Sequence, residues 1–410
     1  MGIIQETDRE AVAVRRRAMP LLFAAVALTN TAMVASTTVA TLIVADHAGT
    51  GVSGFANAAA VLGSAAGAFG LGALTVRYGG RRALLTVYLL GFLGCLVAVL
   101  GGAGGLLPAL LAGMVAIGIG NGGAQVCRYL ATELYPEDRK AYGLSVIVWA
   151  GTVGALAGPT LIAPAGRVAV ALGLPELTGA LLLAAAMTAA SVLITLALPA
   201  ATGAAAHTGR PPLTWRALAA ALGRPAVRLP LTAMLGAHLS MVTIMTMTPL
   251  QLHEHHQGLG TVGWVLSAHM VGMFALAPLS GRIADRFGGR VAIGGGTAML
   301  VAAALLVITA PTAYSLALPA ALFLLGYGWN LVFVGSSGLL SGGLETAERV
   351  EVQGGVDAIV FVAAIAVSLL AGATFAGGGF AVVAVVGGLI ALAPVPLLVR
   401  GTRWTLPSSS

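Results

Sequence analysis

Apolar residues run along this chain in long blocks, parted by short polar or basic breaks. Twelve blocks fall at about 19–45, 52–76, 83–101, 105–130, 142–165, 177–200, 229–252, 258–281, 291–310, 313–340, 352–376 and 378–399. Each is close to the roughly 20 residues that cross a hydrocarbon core. Lipid offers no partner to an open backbone, so helix is predicted for all twelve, numbered here as spans 1 to 12. The 57 glycines would weaken helices in water, but in a membrane small residues let helices approach closely. The breaks divide the chain into a tail (1–18), a six-span half (19–200), a linker (201–228), a second six-span half (229–400) and a final tail (401–410). In the linker, Thr214 is placed to cap a short amphipathic helix lying on the inner leaflet. The first block is too long for a signal peptide, and no convincing cleavage site follows it.

Composition removes the alternatives. Of the 410 residues 58% are hydrophobic and only 9% are charged, with a mean hydropathy of +0.96. A soluble domain carries about a quarter charged residues. The two cysteines, Cys95 and Cys127, lie within apolar blocks and read as reduced, buried thiols. The chain has no G-x-x-x-x-G-K-[ST] loop, no hydrolase, kinase or zinc-protease pattern, and no basic-aromatic surface for nucleic acid. The expectation is an all-α membrane protein that is not an enzyme, needs no cofactor and works as a monomer.

Charge fixes the expected orientation. The net charge is +7, and 20 of the 21 basic residues fall on one side, in the tails, the linker, alternate loops and the end of span 4, with Arg167 the exception. Positive residues stay cytoplasmic, so both termini are predicted inside a bacterial plasma membrane.

The chain also repeats itself. Gly63 and Gly272, Gly72 and Gly281, Arg77 and Arg286, Gly79 and Gly288, Arg81 and Arg290, and Asn121 and Asn330 are each 209 residues apart. G-A-L-T-V-R-Y-G-G-R (72–81) aligns with G-R-I-A-D-R-F-G-G-R (281–290). A constant offset of half the chain predicts two similar bundles related by an axis along the membrane normal.

With this doubled glycine-and-arginine loop, the chain resembles the major facilitator superfamily of secondary transporters over nearly its whole length. The resemblance implies twelve transmembrane helices in two six-helix halves and alternating access to a central solute site. It also makes the loop a cytoplasmic gate built from Gly72, Arg77, Gly79, Arg81, Gly281, Asp285, Arg286, Gly288 and Arg290. The family's acidic residue is Val76 in the first copy and Asp285 in the second, so only Asp285 could latch onto the start of span 5, near Tyr142 to Ser145. Span 5 carries Gly151, Gly154, Gly158 and Pro159, which looks like part of the signature of the drug:proton antiporter branch. The signature's last glycines are replaced by Ile162 and Ala163, and the branch's span 4 arginine by Met114. An ordinary helix-packing face explains the same glycines.

Polar residues within spans are the candidate chemistry. Asp357 is either a proton-coupling carboxylate or half of a structural pair with an arginine. His238 and His269 either carry a proton or sit as satisfied membrane imidazoles. Asn30, Thr31, Asn121, Gln125, Trp149, Trp329, Asn330 and Gln353 add polar and aromatic groups to spans 1, 4, 5, 10 and 11. In the family, spans 1, 4, 7 and 10 are among the helices lining the cavity, which favours Asn30, Asn121, His238 and Asn330 for the solute. A lining with few fixed charges suits a neutral or weakly charged organic solute. The run His253-Glu254-His255-His256 offers metal ligands, yet adjacent positions cannot all converge on one ion. The leading expectation is proton-gradient-driven efflux of a small organic compound; coupled uptake of a metabolite and divalent metal export are the alternatives.

Overall fold

The computed structural model describes residues 2–136, 139–199, 224–309, 316–343 and 346–402. Within its helices, 2–11, 69, 72, 73, 76, 141, 225–226, 341–343, 346–358 and 400–402 are described by their backbone alone. The linker residues 201–223, with the amphipathic segment expected there, lie outside the described residues.

Seven helices and one 3-10 turn precede the linker: α1 (Gly2–Ala48), the turn Thr50–Val52, α2 (Gly54–Tyr78), α3 (Gly80–Ala103), α4 (Leu107–Asn121), α5 (Gly123–Glu133), α6 (Lys140–Ala171) and α7 (Thr178–Leu196). After it come α8 (Pro225–Glu254), α9 (Leu259–Phe274), α10 (Ala277–Phe287), α11 (Gly289–Thr309), α12 (Ala317–Gly343), α13 (Thr346–Ala391) and α14 (Val395–Thr402). Ten stretches of the described residues are long and apolar enough to cross a bilayer. One of them, Ile359–Val399, is interrupted by the non-helical Gly379, two residues past the expected break between spans 11 and 12. Together with α2, a further 25-residue helix, the elements accommodate twelve passes. Span 4 is α4 followed by α5, and span 8 is α9 followed by α10.

The first expected tail is helical: α1 starts at Gly2 and runs without a break through Pro20 into span 1. No glycine lies between Gly2 and Gly49 to interrupt it. Its hydroxyls Thr29, Thr31, Thr37, Thr38 and Thr41 each bond back to a carbonyl four residues earlier at 2.8–2.9 Å, so these polar groups need no outside partner.

The chain divides into two compact units, Met1–Gly49 with Phe55–Arg210, and Thr50–Gly54 with Pro211–Ser410. In the first, α1 packs on α6 and α7, and α3 on α4 and α7. Its core includes Leu22, Leu84, Tyr88, Leu130 and Ile147, each fully buried. Both cysteines are free and buried, with Tyr88 Oη 3.4 Å from Cys127 Sγ. In the second unit, α11 packs on α12, α8 on α12 and α13, and α9 on α12.

The duplication is visible in the backbone. Gly79 has φ 81° and ψ 157°, and Gly288 has φ 86° and ψ 153°, a region open in practice only to glycine. Gly79 N donates to Thr75 O and Gly288 N to Ala284 O, both at 2.9 Å. One loop has been built twice.

Candidate functional site

In the two glycine-and-arginine loops, the guanidinium of Arg77 lies over its neighbour's ring, 5.3 Å from the centroid of Tyr78. Arg286 repeats this over Phe287 at 5.2 Å. Arg81 turns inward, donating from Nη2 to Leu196 O at 2.7 Å and from Nε to Thr195 O at 3.4 Å. A cation there meets the carbonyl end of α7, where the helix dipole favours it. Asp285, Arg286 and Arg290 are exposed. Gly281 has open space where a side chain would stand, and Gly72 lies within α2.

The glycine face of span 5 is a packing seam. A Cβ on Gly154 would stand 2.3 Å from Ala27 O, and one on Gly158 would stand 2.9 Å from Val34 Cβ. Asn30 Nδ2 donates to Gly151 O across the same seam, and Thr31 Oγ1 approaches Gly154 O at 3.3 Å. Asn30 and Thr31 therefore fasten α1 to α6. Trp149 is 66% exposed.

On span 4, Asn121, Gln125 and Arg128 follow one another at helical spacing. Arg128 Nη1 donates to Gln125 Oε1 at 3.2 Å. Gln125 is exposed and Asn121 half-buried. Among the described residues, no hydrogen-bond partner meets the buried Asn121 carbonyl oxygen.

In the second unit, His238 of α8 and Trp329 of α12 have ring centroids 6.3 Å apart, tilted by 55°. Trp329 stacks on Phe333 at 5.1 Å and 14°. His238 and Trp329 are half-buried, and Phe333 is 36% exposed. The three rings thus form a partly accessible face with one imidazole and no fixed charge among its members. Phe333 was not singled out from the sequence, although it lies four residues after Trp329 and so on the same helix face.

His269 is fully buried on α9. Its Nδ1 lies 2.9 Å from Leu322 O, a contact that requires the proton on Nδ1. Nε2 is then a bare acceptor, buried and without a partner among the described residues. Asn330 differs from the other candidates because both ends of its amide are engaged. Nδ2 donates to Met273 O at 2.8 Å, and Oδ1 accepts from Ser280 Oγ. The side chains of Asp357 and Gln353 lie outside the described residues.

The histidine run ends α8. His255 Nδ1 contacts Gln251 O at 2.9 Å, and His256 takes the left-handed turn position at φ 55°. Among the described residues, no three His, Cys, Asp or Glu side chains come together as a metal site would require.

Two helical units with a repeated glycine-and-arginine loop, and with polar and aromatic groups on long apolar helices, define a multi-pass membrane protein of the carrier type. The family model of the Major Facilitator Superfamily matches residues 21–259 and 231–408. The MFS-type transporter YdeG of Bacillus subtilis is 32% identical over 379 residues, covering 90% of this chain and 87% of that protein. The riboflavin transporter RfnT of Brucella anthropi is 27% identical, covering 80% and 81%. Among solved structures, a D-xylose-proton symporter superposes with a TM-score of 0.69 at 18% identity, covering 92% of this chain and 95% of the other. The chain belongs to the major facilitator superfamily, and its relatives are membrane transporters.

Proposed function

We propose that the protein is a proton-coupled exporter of a small organic compound, working by alternating access as a monomer in the bacterial plasma membrane with both termini in the cytoplasm. The observation that carries this reading is the His238–Trp329–Phe333 face on spans 7 and 10. Rings of this kind bind a flat, weakly charged solute by stacking, which is worth about 0.5–1.5 kcal/mol per aromatic pair beyond the buried area. The imidazole adds a hydrogen bond without a permanent charge. Coupling is assigned to His269, whose bare Nε2 is a protonation site inside the bundle, together with Asp357 and His238. The gate is assigned to the doubled loop, and Asn30, Asn121, Gln125 and Trp149 are the solute-binding candidates of the first unit. Asn330 is the exception, since its amide is already committed.

Outward transport rests on the partial antiporter signature of span 5. A second reading, movement of a heteroaromatic metabolite, is favoured by the likeness to a riboflavin transporter. Proteoliposomes loaded with riboflavin or with the planar dye proflavine separate the readings. Export expects outward dye movement that depends on a pH gradient and is lost in His269→Gln. Gradient-independent movement, or none, would remove proton coupling. Cysteine-accessibility labelling at both chain ends tests the orientation.

A further inference from the structure

Span 8 is broken between α9 and α10. Pro278 has no N–H to offer Phe274 O, and the helix restarts at Leu276, whose carbonyl accepts from both Leu279 N and Ser280 N at 3.0 Å. One side chain is tied to both sides of the break. Asn330 Nδ2 holds Met273 O, in the last turn of α9, and Asn330 Oδ1 takes the hydroxyl of Ser280, in the first turn of α10. Asn330 is 5% exposed and Ser280 fully buried, so water does not compete for these bonds. A flipped amide would lose both of them, which fixes its orientation.

The repeat places Asn121 where the second unit has Asn330, but without the clasp. The residue matching Ser280 is Leu71, and the residue matching Pro278 is Phe69. Here α2 is one unbroken helix, and the interruption falls on the opposite member of the pair, at Gly122 between α4 and α5. The two helices touch along a glycine seam at this depth. A Cβ on Gly122 would stand 2.9 Å from Gly67 C, and one on Gly67 would stand 2.6 Å from Ile119 O. Among the described residues Asn121 Oδ1 is buried with no donor, so it has given up water without a hydrogen bond in return. A buried acceptor without a donor marks a shape that other arrangements can improve on, whereas a doubly bonded amide marks a minimum.

The geometry points to opposite jobs for the two asparagines: Asn330 clasps the bend of span 8 in one fixed shape, while Asn121 leaves the span 2–span 4 pair of the first unit free to change its bend. This goes beyond the transport reading and does not depend on the solute or on coupling. It also removes Asn330 from the solute-binding candidates and makes it a positioning residue.

Spin labels in the full-length protein, with Cys95 and Cys127 replaced by alanine, test the assignment. One pair at positions 264 and 287 flanks the span 8 break, and another at positions 106 and 133 flanks Gly122; all four are exposed. In acidic and in alkaline buffer the first pair is expected to give one narrow, unchanging distance, and the second a broad or shifting one. Ser280→Ala should broaden the first pair. Asn330→Asp, which keeps the acceptor and loses the donor, should do so as well and serves if Ser280→Ala fails to fold. Leu71→Ser supplies the missing donor and should narrow the second pair. A span 8 distance as narrow in both variants as in the parent would overturn the clasp, and a first-unit distance as narrow and fixed as that of span 8 would overturn the contrast.

Discussion

Replacing Gly154 by alanine tests whether span 5 glycines are a packing seam. The new Cβ would lie 2.3 Å from Ala27 O, 2.9 Å from Asn30 Cβ and 3.0 Å from Thr31 N, where ordinary contact begins at 3.4 Å. Ala27 O is backbone and cannot rotate away, so α6 must withdraw from α1 by about 1 Å. A gap of 0.5–1 Å forfeits about a quarter to a half of the dispersion between facing atoms. It also stretches the bond from Asn30 to Gly151 O, worth about 0.5–1.5 kcal/mol, and the longer approach to Gly154 O of the Thr31 hydroxyl, which already donates to Ala27 O. Alanine returns about 1 kcal/mol of helix propensity, which leaves a net loss of about 1–3 kcal/mol, typical of an overpacked core. Gly151→Ala is the internal control, because its nearest neighbour would be Asn30 Nδ2 at 3.8 Å. That change should be neutral or gain up to about 1 kcal/mol. Reversible unfolding in mixed micelles, followed by tryptophan fluorescence, should separate the two variants by about 2 kcal/mol, or roughly thirtyfold in the unfolding constant. Equal stabilities would refute a close α1–α6 contact at Gly154.

Gly79→Ala and Gly288→Ala should each cost about 1–3 kcal/mol through the backbone conformation alone. At Gly288 no atom lies within 4 Å of the added methyl, so a neutral result in the same assay would show that its φ of 86° is not required. Arg81→Gln should release the carbonyl end of α7 for about 1 kcal/mol, the value being reduced because the side chain is half-exposed; hydrogen exchange at Ala197 and Leu198 should quicken while that of α3 stays unchanged. Trp329→Leu should weaken proflavine binding by about two- to tenfold, the value of one aromatic contact, without loss of thermal stability; fluorescence titration measures it, and unchanged affinity would detach the aromatic face from the solute.

Much of the architecture was legible because lipid leaves the chain few choices. Long apolar blocks gave the helices, the arginine-bearing breaks gave their ends, and the offset between Gly79 and Gly288 foretold a shared backbone turn. What the sequence withheld concerns which neighbours meet. The G-x-x-x-G-P string of span 5 is written alike for a packing seam and for a transport signature; the approach of Ala27 and Val34 shows that its glycines pack closely, which both readings require. Asn330 reads as a cavity amide until Ser280, 50 residues earlier and without a local signal, is found on its oxygen. Phe333 was recoverable from its spacing to Trp329. The helical course of the first tail was also within reach, since nothing before Pro20 breaks it.

The two halves have kept the same scaffold and divided the chemistry. Positions that shape the backbone are retained in both copies: Gly63 and Gly272, Gly79 and Gly288, Arg81 and Arg290. Where the second unit carries titratable or aromatic candidates, the first does not match them. His238 corresponds to Thr29, His269 to Ala60, Asp285 to Val76, Trp329 to Gly120, Phe333 to Ala124 and Asp357 to Val148. The substitutions run toward small or apolar side chains, and several of these pack closely. A Cβ on Gly120 would stand 3.1 Å from Gly91 Cα, and one on Gly118 would stand 2.1 Å from Ala60 O. Close glycine contacts occur in the second unit as well, where a Cβ on Gly272 would stand 2.3 Å from Phe323 O; what that unit adds is imidazoles and stacked rings, which must keep register to be used. The clasp on span 8 belongs to the unit that carries that chemistry, and the glycine seam at Gly122 to the unit that lacks it. On the proposed reading, the fixed bend and the adjustable one fall to different halves of one duplicated fold.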